Sequence, residues 1–89
     1  MTLAPRVAVV IPCRDDARFL EECLRALAAQ DHAPDSVIVV DNASSDDSAA
    51  IARSFGADVI TEAQVGIWPA AARGYDEAAR VADIIARLD

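Results

Sequence analysis

The sequence predicts an α/β fold in which helices cover both faces of a parallel sheet. Two observations predict it: strand-like apolar runs alternate with amphipathic helical segments along all 89 residues, and the first two runs are nearly continuous in Val, Ile and Ala. This alternation is typical of βαβ units, and such runs are typical of strands that are buried on both faces. The predicted order is βαβαβαβ, in three layers α/β/α with right-handed crossovers.

The first half of the chain supplies two strands and the helix between them. The first strand is "RVAVVIP", which Pro12 closes, and the second is "SVIVVD", which ends at Asp41. The segment "DARFLEECLRALAAQ" predicts an amphipathic helix, because its apolar residues recur at helical spacing, with Asp15 or Asp16 as the N-cap. These elements form the first βαβ unit.

The second half continues the alternation. A second helix is predicted in "SSDDSAAIARSFG", where Ser44 or Ser45 caps, the two aspartates lie in the first turn and Gly56 follows the last turn. The short "ADVIT" is the third strand. A third helix starts near Trp68 with Pro69 in its first turn, and "DIIARLD" is a fourth strand that reaches the last residue. Trp68 is predicted to pack at the start of this helix, the alternative being that it stacks on a ligand.

Composition limits the possible functions. The net charge of −7 argues against a nucleic-acid partner, because binding through phosphate contacts requires clustered cations. All eight basic residues are Arg, which excludes chemistry that depends on a Lys of this chain. No apolar run approaches ~18 residues and no basic segment precedes an apolar one, so we expect a cytoplasmic chain without a membrane segment.

The cysteines and the histidine do not form a recognisable reactive site. Cys13 and Cys23 lack the spacing of a CxxC pair or of a metal cluster, so both are predicted to be free thiols. Cys23 falls in the apolar stripe of the first helix, where it acts as a small hydrophobe. His32 lies in the segment "QDHAPD" and is predicted to be a surface turn residue.

Polar residues collect where the predicted strands end. They are Pro12 to Asp15 after the first strand, Asp41 and Asn42 after the second, and Asp89 after the fourth. Ligands of open parallel sheets bind at this edge. For Asp41 two interpretations stay open: the carboxylate satisfies loop amides, or it accepts hydrogen bonds from a ligand such as a uracil or guanine N–H or a ribose hydroxyl.

Common motifs of this edge are absent from the sequence. The turn "PCRDD" has no glycine, which excludes the dinucleotide fingerprint GxGxxG. The P-loop GxxxxGK[ST] and the nucleophile elbow GxSxG are also missing. Receiver-type signalling domains require a Lys, and the chain contains none.

Four segments together resemble the N-terminal half of family 2 glycosyltransferases of the GT-A fold. They are "VAVVIPCRDDARFLEECLRALAAQ", "SVIVVDNASSDDSAAIARSFGA", "VGIWPAAARGYDEA" and "IIARLD", in this order and spacing. The resemblance runs from about residue 6 to residue 89. It implies the Rossmann-like half of a GT-A fold, and a nucleotide-diphosphate sugar as the partner.

The resemblance also assigns roles to five residues. Asp41 matches the Asp that bonds to the nucleotide base, and Pro12 and Cys13 match the loop that borders base and ribose. Arg73 matches the Arg of the "AARNxG" segment on the nucleotide side. Asp89 matches the first Asp of the metal-binding DxD motif.

The chain departs from the family pattern at several positions. Arg14 and Asp15 replace the aromatic residue and Asn that often follow the first strand, and Gly74 replaces the Asn after Arg73. An alternative for Arg73 is a helix-surface cation paired with an acidic residue of the same helix, Asp76 or Glu77. At the replaced positions the resemblance therefore implies no contact between this chain and a nucleotide.

The sequence ends inside the DxD motif, which limits what these residues can do. The resemblance implies Mg²⁺ or Mn²⁺ in the full-length parent, but we expect none to be bound by residues 1–89, a single partial domain that forms the donor nucleotide-binding half. We expect the parent to transfer the sugar to an acceptor hydroxyl with inversion, by a base beyond Asp89, and the isolated chain to be inactive. Alternatives are a non-catalytic nucleotide- or partner-binding α/β module, and a half-domain that self-associates through uncovered apolar surface.

Overall fold

The described part of the chain, residues 5–88 of a computed structural model, contains four parallel strands and three helices. Their order is βαβαβαβ, which confirms the predicted fold class. The elements are β1 (Val7–Cys13), α1 (Ala17–Ala28), β2 (Ser36–Asp41), α2 (Ser48–Ser54), β3 (Asp58–Thr61), α3 (Ile67–Ala79) and β4 (Ile84–Arg87).

The sheet has the strand order β3-β2-β1-β4, and all its pairs are parallel. The chain builds outward from β1 through β2 to β3, then crosses back so that β4 pairs with the other side of β1. The register sets Cys13 beside Asp41, which brings the carboxyl ends of β1 and β2 together. Any ligand of this sheet would be expected at that edge.

Side chains of β1 alternate between the two helical layers. Val9, Ile11 and Cys13 pack with α1 and α2, whereas Ala8 and Val10 pack with α3. Successive side chains of a strand point to opposite faces of the sheet, and helices cover both faces. The central strands are therefore buried on both faces. The predicted three-layer arrangement is therefore confirmed.

The layer formed by α3 lies unusually close to the sheet at Gly74. A Cβ atom at this position would lie 2.2 Å from Cγ1 of Val10 and 3.0 Å from Cγ2 of Val40. Only hydrogen fits between the helix backbone and these two valines, so glycine sets the distance between α3 and the sheet. The departure from the family pattern at this position thus has a packing reason.

The predicted start of α2 is wrong. The helix begins at Ser48 with Asp47 as the N-cap residue, so neither Ser44 nor Ser45 caps it and Asp46 precedes its first turn. The two serines instead bond to Asp15 of the β1–α1 loop. A tertiary contact has therefore determined which of several possible caps is used.

Other boundaries match the predictions more closely. Asp16 occupies the N-cap of α1, though its side chain makes no capping hydrogen bond. Gly56 follows α2 with φ +80°, the left-handed conformation expected of a glycine after a helix. β4 ends at Arg87, and Asp89 lies outside the described residues. Trp68 is 72% exposed in the first turn of α3, so its predicted packing is wrong for most of the ring.

Cys13 is buried, Cys23 is half-buried, and both are free thiols as predicted. His32 is exposed in the loop before β2, also as predicted. Within residues 5–88, no helix has the length and apolar character needed to cross a membrane.

Candidate functional site

A cavity of about 260 Å³ opens at the carboxyl end of the sheet, between β1, the residue after β2 and the start of α3. Its volume is below the ~300–1,000 Å³ of sites that hold drug-sized ligands, so it suits a planar ring better than a whole nucleotide sugar. Its wall combines apolar residues and a glycine with two polar residues, an asparagine and an arginine. The lining residues are Pro12, Cys13, Arg14, Asn42, Val65, Gly66, Ile67 and Ala70.

Not every residue predicted to bind the nucleotide lines this cavity. Pro12 and Asn42 lie on the α3 side of the sheet edge, where the cavity opens. Cys13 also lines it, although its side chain packs with α1 and α2 on the other face, which Asp41 shares. The structure therefore brings Pro12 and Cys13 together at the cavity, whereas Asp41 is not among its lining residues.

The Asp41 carboxylate is half-buried at the end of β2. Its Oδ1 accepts a hydrogen bond from the backbone N–H of Ser44 at 3.1 Å, which supports the loop-amide interpretation for this oxygen. Among the described residues, no hydrogen bond engages Oδ2. One carboxylate oxygen thus stabilises the loop, and the second keeps its capacity to accept a hydrogen bond from a ligand.

Burial keeps the Cys13 thiol protonated. Loss of water around the sulfur raises the pKa of Cys13 above its ordinary 9.0, and the negative charges of Asp46 and Asp41 raise it further. A hydrogen bond with Ser48 acts in the opposite direction and is outweighed. At neutral pH this thiol is a small apolar group packed with α1 and α2 rather than a nucleophile.

Asn42 is the residue of this edge that the sequence did not single out as part of the site. It is 4% exposed and its side chain makes three hydrogen bonds to one segment. Nδ2 donates to the carbonyl oxygens of Glu62 and Gln64 at 2.9 and 2.8 Å, and Oδ1 accepts from the N–H of Gly66 at 2.9 Å. An Asn directly after a buried strand was the available signal, but its partners lie 20 to 24 residues away in a loop without periodic pattern.

Acidic side chains join the loops that follow β1 and β2. Asp46 accepts hydrogen bonds from the hydroxyl and the N–H of Ser48 and, at 3.3 Å, from the N–H of Ala17 at the start of α1. These bonds hold the pKa of Asp46 below its ordinary 3.8, and the bond from the Ser48 hydroxyl has the largest effect. One carboxylate therefore caps the first turns of two helices.

Arg73 lies on the exposed side of α3, away from the cavity. It lines a separate shallow depression with Asp76, Glu77 and Arg80. Glu77, one of the two acidic residues considered as partners of Arg73, pairs there with Arg80 at 3.9 Å. The structure does not bring Arg73 together with Pro12 and Cys13.

The described residues do not fit a metal ion. Across residues 5–88, no three His, Cys, Asp or Glu side chains come together as potential ligands. Asp89, the residue predicted to bind metal, lies outside this range.

Comparison with known proteins identifies the family. The sequence model described as glycosyl transferase family 2 matches residues 8–89. The chain belongs to this family. The predicted resemblance is thereby confirmed, and the βαβαβαβ sheet is the Rossmann-like half of a GT-A fold.

Solved structures similar to this family 2 chain include glucosyl-3-phosphoglycerate synthase from Mycobacterium tuberculosis. Its complex with Mn²⁺, uridine diphosphate and glucosyl-3-phosphoglycerate matches with a TM-score of 0.79 and 25% identity, over 97% of this chain. Its complex with Mg²⁺ and uridine diphosphate matches equally, with a TM-score of 0.79 and 25% identity over 97% of this chain. A further structure, described as a mycobacterial protein, has a TM-score of 0.75 and 25% identity over 92% of this chain.

The matched region is one part of each of these proteins. The family 2 chain spans 33% of the synthase and 30% of the further mycobacterial protein. The remaining two thirds of those proteins have no counterpart in it.

Proposed function

We propose that residues 1–89 form a single partial domain, the donor nucleotide-binding half of a family 2 glycosyltransferase. The whole protein transfers a sugar from a nucleotide-diphosphate donor to an acceptor hydroxyl, with inversion. Family membership over residues 8–89 supports this proposal, as does similarity to a synthase solved with uridine diphosphate. The isolated chain binds the donor weakly and does not catalyse transfer.

Two features at the carboxyl ends of β1 and β2 carry the proposal: a largely apolar cavity, and the half-buried carboxylate of Asp41, the residue that precedes the lining residue Asn42. Pro12 and Cys13 give the cavity an apolar wall suited to the face of a base. Asp41 Oδ2 accepts a hydrogen bond from an N–H on the edge of that base, such as uracil N3–H. An apolar wall with one oriented polar group is the usual composition of a small-molecule site.

Two further residues complete the proposed donor site. Arg73, exposed on α3, contacts the nucleotide only in the whole protein, because it lies outside the cavity. Asp89 supplies the first carboxylate of a DxD motif that holds Mg²⁺ or Mn²⁺ in the full-length parent. The similar synthase was solved with each of these ions, which supports this choice. When bound, such an ion offsets the charge of the departing diphosphate.

The proposal is tested by titrating the 89-residue chain with UDP, GDP and dTDP, with and without Mg²⁺, while NMR follows the backbone amides. We expect UDP to shift amides next to Cys13, Asp41 and Gly66. Asp41→Asn is the sharpest variant, because its remaining oxygen can still accept from Ser44 while Oδ2 becomes an N–H₂ donor that opposes the base N–H. Loss of a charge-assisted hydrogen bond of about 1.5 kcal/mol would weaken UDP binding roughly tenfold.

Asp47→Asn is the matched control. It removes the same charge from an exposed N-cap whose side chain makes no capping hydrogen bond, so UDP affinity should not change. Equal affinities for the two variants would show that Asp41 does not contact the base. A wild-type chain that is folded and gives no shifts with any nucleotide would contradict the proposed site.

A second proposal concerns exposed apolar surface on β4 and α3. We propose that this surface mediates weak self-association of the isolated chain. Ile84 and Ile85 are 48% and 38% exposed on β4, an edge strand of the sheet that the described residues form, and Trp68 lies nearby on α3. Sedimentation velocity should show concentration-dependent dimers that Ile85→Lys abolishes, since edge lysines oppose strand pairing. Monomers at every concentration would contradict it.

We also propose that the chain resides in the cytoplasm and binds no nucleic acid. Two free thiols are typical of a reducing compartment, and a net charge of −7 opposes contact with phosphate backbones. Cell fractionation and an electrophoretic mobility-shift assay test the two statements separately.

A further inference from the structure

We infer that Asn42 is a positioning residue that holds segment 62–66 as the wall of the cavity, and so determines nucleotide affinity without contacting the nucleotide through its amide. The inference rests on the proposed nucleotide site. It is based on the hydrogen bonds that the Asn42 side chain makes.

The hydrogen bonds of Asn42 form a closed set around one segment. Its backbone N–H donates to the Cys13 carbonyl at 2.8 Å, which fixes the residue to the end of β1. Its side chain then donates to the carbonyl oxygens of Glu62 and Gln64 and accepts from Gly66. Both donors and an acceptor of the amide are used within the protein, so the amide has little capacity left for a ligand.

Segment 62–66 lies between β3 and α3, and backbone hydrogen bonds hold only its two ends: the Glu62 N–H donates to the Asp41 carbonyl, and the Gly66 carbonyl accepts from the Ala70 N–H. Within the segment the Glu62 carboxylate accepts from the Gln64 N–H. The Asn42 side chain adds the bonds that join the segment to the end of β2 along its length. Gly66 has φ +141°, a conformation that side-chain-bearing residues rarely adopt. Buried polar groups such as the Asn42 amide are strong anchors because leaving any one unpaired is costly.

The segment is also the outer wall of the cavity. Val65 and Gly66 line it, and Val65 is 52% exposed, so the wall has little other packing behind it. Across the cavity lie Pro12 and Cys13 at the end of β1. Displacing the segment would widen the gap in which the base is proposed to lie, while both of those residues stayed in place.

Asn42→Asp tests the inference. The substitution keeps the size and the acceptor for Gly66 but replaces the donor of two hydrogen bonds by an oxygen that faces two carbonyl oxygens. We expect at least a tenfold loss of UDP affinity, and at least a tenfold faster hydrogen exchange of the Gly66 amide. Asn42→Ser, which is smaller and uncharged, serves as the second variant if the aspartate prevents folding.

Leu27→Ala is the matched control for loss of stability. Leu27 is buried in α1 and lines surface depressions with residues 33–35, before β2 and therefore at the opposite end of the sheet. Under conditions where the Leu27→Ala variant stays folded, it should bind UDP with the wild-type affinity. Hydrogen exchange of its Gly66 amide, compared with exchange of the core amides, should be as slow as in the wild type.

The outcomes separate this inference from the proposed function. If the wild type binds UDP and both Asn42 variants bind equally well, the positioning role is refuted and the nucleotide site stands. If the wild type does not bind UDP, the nucleotide site falls, and exchange at Gly66 decides the role of Asn42. If the Asn42 variants speed hydrogen exchange of the Gly66 amide but not of the core amides, the role of Asn42 in holding segment 62–66 is supported. If exchange at Gly66 is unchanged, that role is refuted.

Discussion

Asp15 Oδ1 accepts hydrogen bonds from both the backbone N–H and the hydroxyl of Ser45, at 2.6 and 3.1 Å. Asp15 follows β1 and Ser45 follows β2, so this contact joins the two loops that border the candidate site. In return the Asp15 N–H donates to the hydroxyl of Ser44 at 3.0 Å. The two loops are thus connected in both directions before any ligand binds.

Replacing Asp15 should separate the loops. Asp15→Ala should lower the free energy of unfolding by about 1–2 kcal/mol, because it removes both acceptor contacts and leaves an alanine at φ +51°. Asp15→Asn should cost less, since its oxygen still accepts from Ser45 and Asn tolerates positive φ. Urea unfolding of the three proteins measures the difference, and equal costs for Ala and Asn would show that the contact contributes little.

Ala43 has φ +59° in the loop after β2, where L side chains are strained. Ala43→Gly should therefore raise the free energy of unfolding by about 0.5–1 kcal/mol despite the greater freedom of the unfolded chain. Ala50→Gly, at an exposed position of helix α2, is the control, and it should lower the free energy of unfolding by about 1 kcal/mol. If both substitutions lowered urea midpoints alike, the Ala43 strain would be absent in solution.

Asp46 should make stability depend on pH in the acid range. Its pKa is lower in the folded chain than the ordinary 3.8, so the ionised form stabilises the fold above about pH 3.8, and this stabilisation is lost as pH falls through the lower folded pKa. Urea midpoints from pH 6 to pH 2.5 should fall more in the wild type than in Asp46→Asn. Asp47→Asn, which removes the neighbouring charge, should keep the wild-type dependence.

Gly74 should be the least replaceable residue of α3. Gly74→Ala places a Cβ against Val10 and should lower the free energy of unfolding by about 1–3 kcal/mol, the usual cost of overpacking. Helix propensity alone predicts the opposite, a gain of about 1 kcal/mol.

A double-mutant cycle isolates this contact. Val10→Ala removes Cγ1, the atom that the new Cβ would meet at 2.2 Å, so Gly74→Ala should cost less in that background. If Gly74→Ala lowered the free energy of unfolding equally in the wild type and in Val10→Ala, the new Cβ would not clash with Val10.

How far the sequence predicts this structure depends on how local the controlling interactions are. β1 and β2 were predicted almost to the residue because continuous Val and Ile runs suffice to identify buried strands. The start of α2 was wrong because four consecutive residues were acceptable caps, and the choice among them depends on Asp15, about 30 residues earlier in the chain. Propensity cannot represent such a contact.

The candidate site divides in the same way. Pro12, Cys13 and Asp41 were found because each closes or follows a strand, and the position of strand ends is a local property. Asn42 was not assigned a role because its partners are carbonyl and N–H groups of the backbone, which every loop has. Strand alternation could have indicated that Asn42 and Pro12 share a face, since the period of two was already visible in the sequence.

The strand order has a consequence for how the chain folds during synthesis. Among the described strands β1 is made first, yet one of its two neighbours, β4, is made last, and the hydrogen bond from the Arg6 N–H to Asp83 spans 77 residues. The three strands β1, β2 and β3 can assemble with α1 and α2 as soon as they leave the ribosome. The open side of β1 then stays unpaired until β4 emerges, so the central strand of the finished sheet passes through synthesis as an edge, exposed to chaperones and to other nascent chains.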